Sequence, residues 1–195
     1  YDQTGRLVSH VDAYGKTIEY THSLGTRQEI VQDRNGKQRV LEYDARGNVV
    51  RETDPHGKLV LRSFDARNNR LSETEAHDPA TTPNPPTTVY TYDAADNLLS
   101  VTDPETHTTE YTYNARKQVL TTKDPKGTYT INAYDTKGNL TSTKVAASLS
   151  GPALTATTYG YDTRGNVLTQ TVTVDGVAQV TGYQYDTHGN LTKET

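Results

Sequence analysis

The sequence lacks most of the residues that usually fill or cross-link a protein core. Its 195 residues include no Cys, Met or Trp and a single Phe. The absence of Cys excludes disulfides and thiolate chemistry. Leu, Val, Ile and Phe together amount to 34 residues, which is few for a chain long enough to hide most of its unfolded surface in a compact domain. We therefore expect a structure with little apolar filling.

Several functional classes also find no support in the sequence. The formal net charge is −4 and the basic residues are scattered, so no basic stripe indicates nucleic-acid binding. No apolar run approaches the roughly 18 residues of a membrane-spanning helix, and no signal peptide is visible. The chain opens inside a repeat, at Tyr1, and we expect it to be a segment of a longer protein. The missing signal therefore says little about where the protein acts.

What the sequence does contain is repetition. The phrase YDTRGN at 161–166 returns in near copies, and the aromatic residues that open the copies follow one another at steps of 19 to 28 residues. These residues are Tyr1, Tyr20, Tyr43, Phe64, Tyr92, Tyr113, Tyr134, Tyr161 and Tyr185. A unit of about 21 residues that recurs in this way is typical of one supersecondary element stacked many times.

The repeated phrase has the chemistry of a tight turn. Its Asp can accept a hydrogen bond from the backbone two residues on, and its Gly provides the positive φ that closes a hairpin with a bulge. The site residues that the sequence predicts are therefore structural turn residues. They are Asp2, Gly5, Asp44, Gly47, Asp135, Gly138, Asp162, Gly165, Asp186 and Gly189.

A second set of turns lies between these phrases, as in DPHG at 54 and DPKG at 124. Two turns per repeat leave strands of about five to seven residues, and the abundance of Thr, Val and Tyr suits a half-buried sheet surface. The predicted fold is all-β, a repetitive antiparallel meander of β-hairpins in a single array over 1–195. Two insertions break the period, at 75–88 and 144–158, and both are expected to be exposed loops.

Two finer expectations follow from the repeat. Three copies replace the turn Gly with Asn68, Asp96 and Lys117, and the copy at 20–25 lacks the Asp, so looser or differently typed turns are expected there. Pairs such as Tyr90 and Tyr92 lie two residues apart and therefore on one face of the sheet. Stacked hairpins would align these pairs into aromatic ladders.

The sequence shows no catalytic, cofactor or metal site. Its six histidines do not form a cluster of ligand spacing. They are His10, His22, His56, His77, His107 and His188. The turn aspartates do not follow the pattern of a calcium-binding loop, and GKT at 15–17 lacks the glycine-rich segment of a phosphate-binding loop. Because nothing pairs a nucleophile with a base, we predict that the protein is not an enzyme.

The alternation of YDxxG and DPxG turns resembles the YD repeats of the Rhs family. The resemblance is carried by YDARGNVVRETDPHG at 43–57 and YNARKQVLTTKDPKG at 113–127. That family includes bacterial polymorphic toxins, the cocoon-forming components of insecticidal Tc toxins, and animal teneurins. The resemblance implies a sheet ribbon that forms part of a spiralling β-shell able to enclose a toxic C-terminal segment. Rhs toxins carry D-P-x-G-L near their cleavage point; DPHGK and DPKGT lack that Leu, so no catalytic residue is carried over.

The leading hypothesis is a non-catalytic structural wall segment of an Rhs-type β-shell that encapsulates a C-terminal toxin or another cargo polypeptide. Its partners would be the rest of the parent shell and the enclosed cargo, with no nucleic acid and no membrane span. Self-association through sheet edges is open to an isolated segment. The resemblance implies a secreted or cell-surface location, in bacteria. The alternative is an extracellular carbohydrate-binding or adhesion module, in which the tyrosine rows contact glycans.

Overall fold

The computed structural model describes residues 1–3, 5–23 and 25–195. They form two compact units: unit 1 comprises Tyr1–Asp96 and Thr102–Thr106, and unit 2 comprises Asn97–Val101 and His107–Thr195. The described residues contain strands, turns and bends, and no helix. The all-β prediction is therefore confirmed.

Unit 1 is an antiparallel meander in which each strand pairs with the next along the chain. Its strands are β1 (Ser9–Val11), β2 (Thr17–Ser23), β3 (Gln28–Gln32), β4 (Gln38–Tyr43), β5 (Val49–Thr53), β6 (Leu59–Phe64), β7 (Arg70–Thr74) and β8 (Thr87–Tyr92). Most of them are five to seven residues long, as the spacing of the turns predicts.

Unit 2 repeats this antiparallel pattern. Its strands are β9 (Leu98–Thr102), β10 (Thr108–Tyr113), β11 (Val119–Lys123), β12 (Tyr129–Tyr134), β13 (Leu140–Ala146), β14 (Ala153–Tyr161), β15 (Val167–Val174), β16 (Val177–Tyr185) and β17 (Leu191–Glu194). The last residue of β9, Thr102, is assigned to unit 1. The antiparallel hairpin meander is thus confirmed in both units.

Neither unit has a conventional core. Among the described residues, Leu59, Ala146 and His77 are the buried ones. The scarcity of large apolar residues explains this, because a face with few such side chains has little surface to remove from water. Ladder hydrogen bonds and cross-strand side-chain contacts must therefore supply much of the cohesion.

The proline-rich insertion, expected as a loop at 75–88, connects β7 to β8, with Thr87 and Thr88 already in β8. It folds back on β6, because the backbone amides of Leu59 and His77 each donate to the other's carbonyl, at 2.8 and 3.0 Å. This contact accounts for the burial of both residues.

The structure differs from the loop expected at 144–158. Residues 144–146 complete β13 and residues 153–158 begin β14, so 147–152 alone connect the strands. The physical reason is that the Val, Ala and Thr residues of the insertion pair with one another, as Val145 does with Thr155. The longer period marks a longer hairpin.

A similar elongation joins β15 to β16 through a two-residue turn that the repeat analysis missed. Asp175 and Gly176 have φ values of 49° and 79°, and Val174 pairs directly with Val177. Positive φ at both central residues is the mark of the I′ hairpin turn, for which Asp-Gly between strand-forming residues is a strong sequence signal. That dipeptide could have located the turn.

Candidate functional site

The repeated YD turns line one edge of each unit, and their geometry is nearly the same from copy to copy. In the turn that opens at Asp44, the amide of Gly47 donates to the Asp44 carbonyl at 3.2 Å, and the amide of Asp44 donates to the Asn48 carbonyl at 2.9 Å. The carboxylate atom Asp44 Oδ1 accepts from the amides of Arg46 and Asn48, at 2.8 and 2.9 Å. One Asp therefore satisfies two backbone donors of its own turn.

The other predicted turn residues occupy equivalent places. The positive φ values are 81° at Gly5, 89° at Gly47, 98° at Gly138, 94° at Gly165 and 88° at Gly189. Each partner Asp accepts from the amide four residues on. Glycine suits this position because it carries no Cβ to clash at positive φ.

The expectation of looser or differently typed turns at the drifted copies is wrong at three of them. Asn68, Asp96 and Lys117 take the place of Gly with φ values of 69°, 65° and 62°. Their amides donate to the carbonyls of Asp65, Asp93 and Asn114, at 3.2, 3.2 and 3.0 Å. The flanking strands hold the turn in one conformation, so even Lys117 adopts it despite its Cβ. The copy at 20–25 includes Leu24, which lies outside the described residues.

The Asn that follows the turn Gly hydrogen-bonds to the Asp that opens the same turn. Asn48 Nδ2 donates to Asp44 Oδ2 at 2.9 Å, and Asn166 Nδ2 donates to Asp162 Oδ2 at 2.8 Å. For both aspartates the side-chain hydrogen bond from this Asn is the largest cause that lowers the carboxyl pKa below its usual value. These turn aspartates are therefore ionised carboxylates that stabilise their own turns.

In unit 1 the turns that open at Asp44 and Asp65 are each also tied to the next turn. Arg46 Nε and Asn48 Nδ2 donate to Asn68 Oδ1, at 3.0 and 2.8 Å. Arg67 continues the series, with NH2 donating to the Asp93 carbonyl at 2.9 Å and Nε lying 3.1 Å from Asp96 Oδ1. The basic residue that precedes the turn Gly thus reaches forward by one repeat.

Unit 2 uses the same position to reach backbone carbonyls. Arg116 NH2 donates to the Thr136 carbonyl at 2.5 Å, and Lys137 Nζ donates to the Thr163 carbonyl at 3.0 Å. Arg164 NH1 donates to the carbonyl of Thr187 at 2.6 Å. Because a donor with a full charge makes a stronger hydrogen bond than a neutral one, these contacts lock successive turns together.

The tyrosine that opens a phrase reaches in the opposite direction. In unit 2, the hydroxyls of Tyr113, Tyr134 and Tyr161 donate to the carbonyls of Leu98, Val119 and Leu140, at 2.8, 3.0 and 2.6 Å. Each acceptor is the first residue of the strand that follows the preceding YD turn. A phrase of unit 2 therefore contacts the next turn through its basic residue and the strand after the preceding turn through its tyrosine.

The tyrosines do not form the ladders of paired rings expected from the sequence. Tyr111 lies opposite Thr122, Tyr159 opposite Gln170 and Tyr183 opposite Glu194. The physical reason is that strands ending on tyrosine alternate with strands that do not, so equivalent tyrosines of successive repeats are about 9 to 10 Å apart. That separation prevents direct cross-strand pairing.

A chain of charges crosses the strands of unit 1. Glu52 lies 2.6 Å from Arg39 NH2 and 3.2 Å from Arg62 NH1. Glu73 Oε2 then lies 2.5 Å from Arg62 Nε and 2.7 Å from Arg70 NH1. Because the charges alternate in sign, each carboxylate is shared by two guanidinium groups.

The chain of charges ends on a tyrosine. Arg70 NH2 donates to the Tyr90 hydroxyl at 3.1 Å, and the guanidinium carbon lies 4.7 Å from the centre of the Tyr90 ring. This distance is typical of a cation–π contact. One face of Tyr90 is therefore already occupied within the protein.

These arrangements organise backbone and charge, and they show no reactive constellation. No group of three His, Asp or Glu residues in the described part of the chain could hold a metal ion. Within the same residues, no helix is long and apolar enough to cross a membrane. The site that the sequence points to is the interlocked edge of YD turns.

Comparisons with known proteins agree with this geometry. A family model described as RHS Repeat matches residues 43–83 and 92–129. A crystal structure of TcdB2-TccC3-Cdc42 is similar to 100% of the chain, with a TM-score of 0.65 and 17% sequence identity. A crystal structure of TcdB2-TccC3-TEV is also similar to 100% of it, with a TM-score of 0.62 and 16% identity.

A further structural match, to a Photorhabdus luminescens Tc holotoxin pore, covers 97% of the chain with a TM-score of 0.55 and 18% identity. The chain spans 13%, 14% and 12% of the lengths of these three solved chains. No curated protein matches the sequence. The family model thus identifies RHS repeats at 43–83 and 92–129, and the solved structures share the fold of the whole chain.

Proposed function

We propose that the chain is a structural wall segment of an Rhs-type shell, and that this shell encloses a cargo polypeptide such as a toxin. The observation that carries the proposal is the interlocking of successive YD turns, in which Arg164 reaches forward to Thr187 and Tyr161 reaches back to Leu140. Such contacts extend a sheet by adding repeats, because each repeat contacts its neighbours and requires no common core.

The absence of a core among the described residues fits a wall better than a self-contained domain. A wall needs continuous strand pairing and two faces, and a large buried interior is not required of it. The solved structures with this fold are parts of Tc toxin assemblies, which supports a role within a larger assembly. The partners we propose are therefore the remainder of a parent shell and an enclosed polypeptide.

The proposal includes a non-catalytic role and a secreted or cell-surface location in bacteria. The recurring Asp, Gly and Tyr positions of the phrase are explained by turn and strand contacts among the described residues, so these positions do not require a catalytic role. The aspartates are engaged with backbone amides, as Asp162 is with the amides of Arg164 and Asn166, both at 2.8 Å.

The contacts of the tyrosines argue against an adhesion module that binds sugars. The hydroxyls of Tyr113, Tyr134 and Tyr161 donate to backbone carbonyls, and Arg70 covers one face of Tyr90. A sugar that hydrogen-bonded to these three hydroxyls, or stacked on the face of Tyr90 that Arg70 covers, would have to displace contacts within the sheet.

Sedimentation velocity together with a glycan array tests the choice between the two functions. A wall segment exposes unpaired strand edges, so we expect the 195-residue chain to self-associate and to show no selective affinity for glycans. A stable monomer that binds a defined sugar, and loses it on Tyr90→Ala or Tyr111→Ala without unfolding, would establish the adhesion function in place of the wall.

Enclosure of cargo is tested in the longer protein of which we propose this chain to be part. Limited proteolysis should leave the enclosed polypeptide intact in the unaltered protein and degrade it when two turns are disrupted by Gly138→Val and Gly165→Val. A control variant, Gly5→Ala, places a smaller side chain at the equivalent position of another YD turn and should leave the enclosed polypeptide intact. Equal degradation of the polypeptide in the unaltered and doubly substituted proteins would contradict enclosure.

A further inference from the structure

A cleft opens on unit 1 beside the YD phrase at 20–25, which lacks the Asp. Its volume is about 380 Å³, which lies within the usual range for small-ligand sites. The residues that matter for its chemistry are Arg6, His22, Arg27, Glu29, Tyr43 and Asp44. All of them belong to unit 1.

Arg6 stands where most of the regular phrases carry Asn. Its amide donates to Asp2 Oδ1 at 2.9 Å, as the amide of Asn48 does to Asp44 Oδ1 at 2.9 Å. The Asn48 side chain then turns back to its own Asp and on to Asn68. The longer Arg6 side chain is instead half-buried against the cleft.

Arg27 approaches the cleft from the β2–β3 connection. Its φ is 53°, and its carbonyl accepts from the Tyr43 amide at 2.9 Å, so its backbone is fixed while its side chain is exposed. Among the described residues, neither the Arg6 nor the Arg27 guanidinium has an acceptor for its hydrogen bonds. Each offers up to five donors in a planar fork.

The other charged groups of the cleft are already engaged. Glu29 Oε2 lies 3.0 Å from His22 Nδ1, and His22 Nε2 lies 2.9 Å from the Leu7 carbonyl. Asp44 accepts from its own turn, including Asn48 Nδ2 at 2.9 Å. Among the described residues, the charged groups of the cleft without an ionic partner are therefore the two guanidinium groups.

Tyr43 supplies a neutral wall. Burial raises the pKa of its hydroxyl, and the nearby charge of Glu29 raises it further, so the phenol stays protonated under ordinary conditions. A ligand can thus contact an aromatic surface while its charged end meets the guanidinium groups.

We propose that this cleft is a binding site for a carboxylate, held by Arg6 and Arg27. Guanidinium and carboxylate groups match in a two-fold hydrogen-bonded geometry. A phosphate matches the same fork, but its second negative charge would be repelled by the carboxylates of Glu29 and Asp44, which also line the cleft. A singly charged carboxylate can bind the two guanidinium groups and is repelled less than phosphate by Glu29 and Asp44.

The carboxylate can come from a free small molecule or from an Asp or Glu side chain of a polypeptide. The site goes beyond the wall function and does not rest on it, because it depends on the departures of the phrases at 1–6 and 20–25 from the repeat. Failure of the site would leave the interlocked turns, and the sedimentation test above, unaffected.

Nuclear magnetic resonance titration of the 195-residue chain tests the proposal with three probes: benzoate, the capped peptide Ac-Gly-Glu-Gly-NH2 and inorganic phosphate. We expect benzoate or the peptide to shift the Nε–H signals of Arg6 and Arg27. Preference for benzoate indicates a small-molecule source, and preference for the peptide indicates a polypeptide source. No shift from either carboxylate up to about 50 mM, or tighter binding of phosphate, would overturn the site.

Variants assign the binding to the two guanidinium groups. Arg6→Gln and Arg27→Gln should each weaken carboxylate binding by about tenfold or more, whereas the control Arg51→Gln, on β5 and outside the cleft, should leave it unchanged. Arg6→Lys should give an intermediate loss, because Lys keeps the charge and lacks the fork. If Arg6→Gln unfolds, the exposed Arg27 still decides the outcome. Binding that is equal in Arg27→Gln and in the unaltered chain would disprove the proposal.

Discussion

Unit 1 and unit 2 share one hairpin repeat but hold their strands together with different chemistry. Unit 1 carries twelve Lys and Arg and seventeen Asp and Glu, whereas unit 2 carries eight and seven. Accordingly, unit 1 contains the chain of charges through Arg62, while unit 2 relies on tyrosine hydroxyls and on contacts such as that between the Thr112 and Thr121 hydroxyls, at 2.6 Å.

The turns of the repeat are more tightly constrained than its strand faces. The YD turns have the same geometry in both units, because each turn must place one residue at positive φ and satisfy its own amides. The strand faces differ, because charged, hydroxyl and aliphatic pairs can each stabilise neighbouring strands. The turn residues of the repeat are therefore constrained, whereas the side chains on the strand faces can vary.

Acid should have the largest effect, since it titrates many turns together. Hydrogen bonds from Asn48 and Asn166 hold the pKa of Asp44 and Asp162 below the usual value of about 4. Because the folded-state pKa is depressed, the stabilisation is present above about pH 4 and is lost as the pH falls through the folded-state value.

Hydrogen exchange measured between pH 6 and pH 2.5 checks this prediction. Five turn aspartates in unit 1 and three in unit 2 have lowered pKa values. Amides of β4 and β5 should therefore lose protection at least as early as those of β13 and β14. Protection that stays constant down to pH 2.5 would show that these carboxylates do not stabilise the fold.

Gly165→Val should destabilise unit 2 by roughly 1 to 3 kcal/mol, since a β-branched residue is strained at a φ of 94°. The matched change Lys117→Gly, at φ 62°, should be neutral or stabilising, because it removes a Cβ from the equivalent position. Urea denaturation of the two variants checks both signs. Equal effects would mean that residues 117 and 165 are not equivalent.

Arg62→Gln should destabilise unit 1 by about 1 to 2 kcal/mol, because it removes the shared cation between Glu52 and Glu73. The control Arg51→Gln removes a more exposed guanidinium whose Nε lies 3.8 Å from Glu42, and it should cost at most about 0.5 kcal/mol. Amide exchange in β5 to β7 measures both changes.

Added salt sharpens the same comparison. About 1 M NaCl screens charges beyond roughly 3 Å, so it should reduce the difference between Arg62→Gln and the unaltered chain and should change amide protection in β14 and β15 very little. A difference that is insensitive to salt would assign the effect of Arg62 to the packing of its side chain.

Tyr161→Phe should have the smallest effect, about 0.5 to 1.5 kcal/mol, because it removes one hydrogen bond to the Leu140 carbonyl and keeps the ring. Tyr159→Phe is a suitable control, since its ring lies on the same strand. Thermal unfolding of both variants checks the difference, and a larger loss for Tyr159→Phe would contradict the role assigned to the Tyr161 hydroxyl.

Local features were predictable from the sequence, and features that depend on stacking were not. The strands and the positions of Gly47 and Gly165 follow from turn chemistry within six residues. The conformation of Lys117 was mispredicted because neighbouring strands, and not its own propensity, decide it. The ties from Arg116 to Thr136 and from Tyr134 to Val119 were missed because they join residues 20 and 15 positions apart, whose proximity appears once the register is known.

The acceptors of the inter-turn contacts in unit 2 are main-chain carbonyls, as at Thr136, Thr163 and Thr187. Every amino acid supplies such an acceptor, so a repeat copied from elsewhere in the gene would meet a usable partner whatever its side chains are. Unequal crossing-over between two YD phrases would then yield a chain that is longer or shorter by whole hairpins, with its edge contacts intact. The array can accordingly change its length during evolution without first acquiring compensating substitutions.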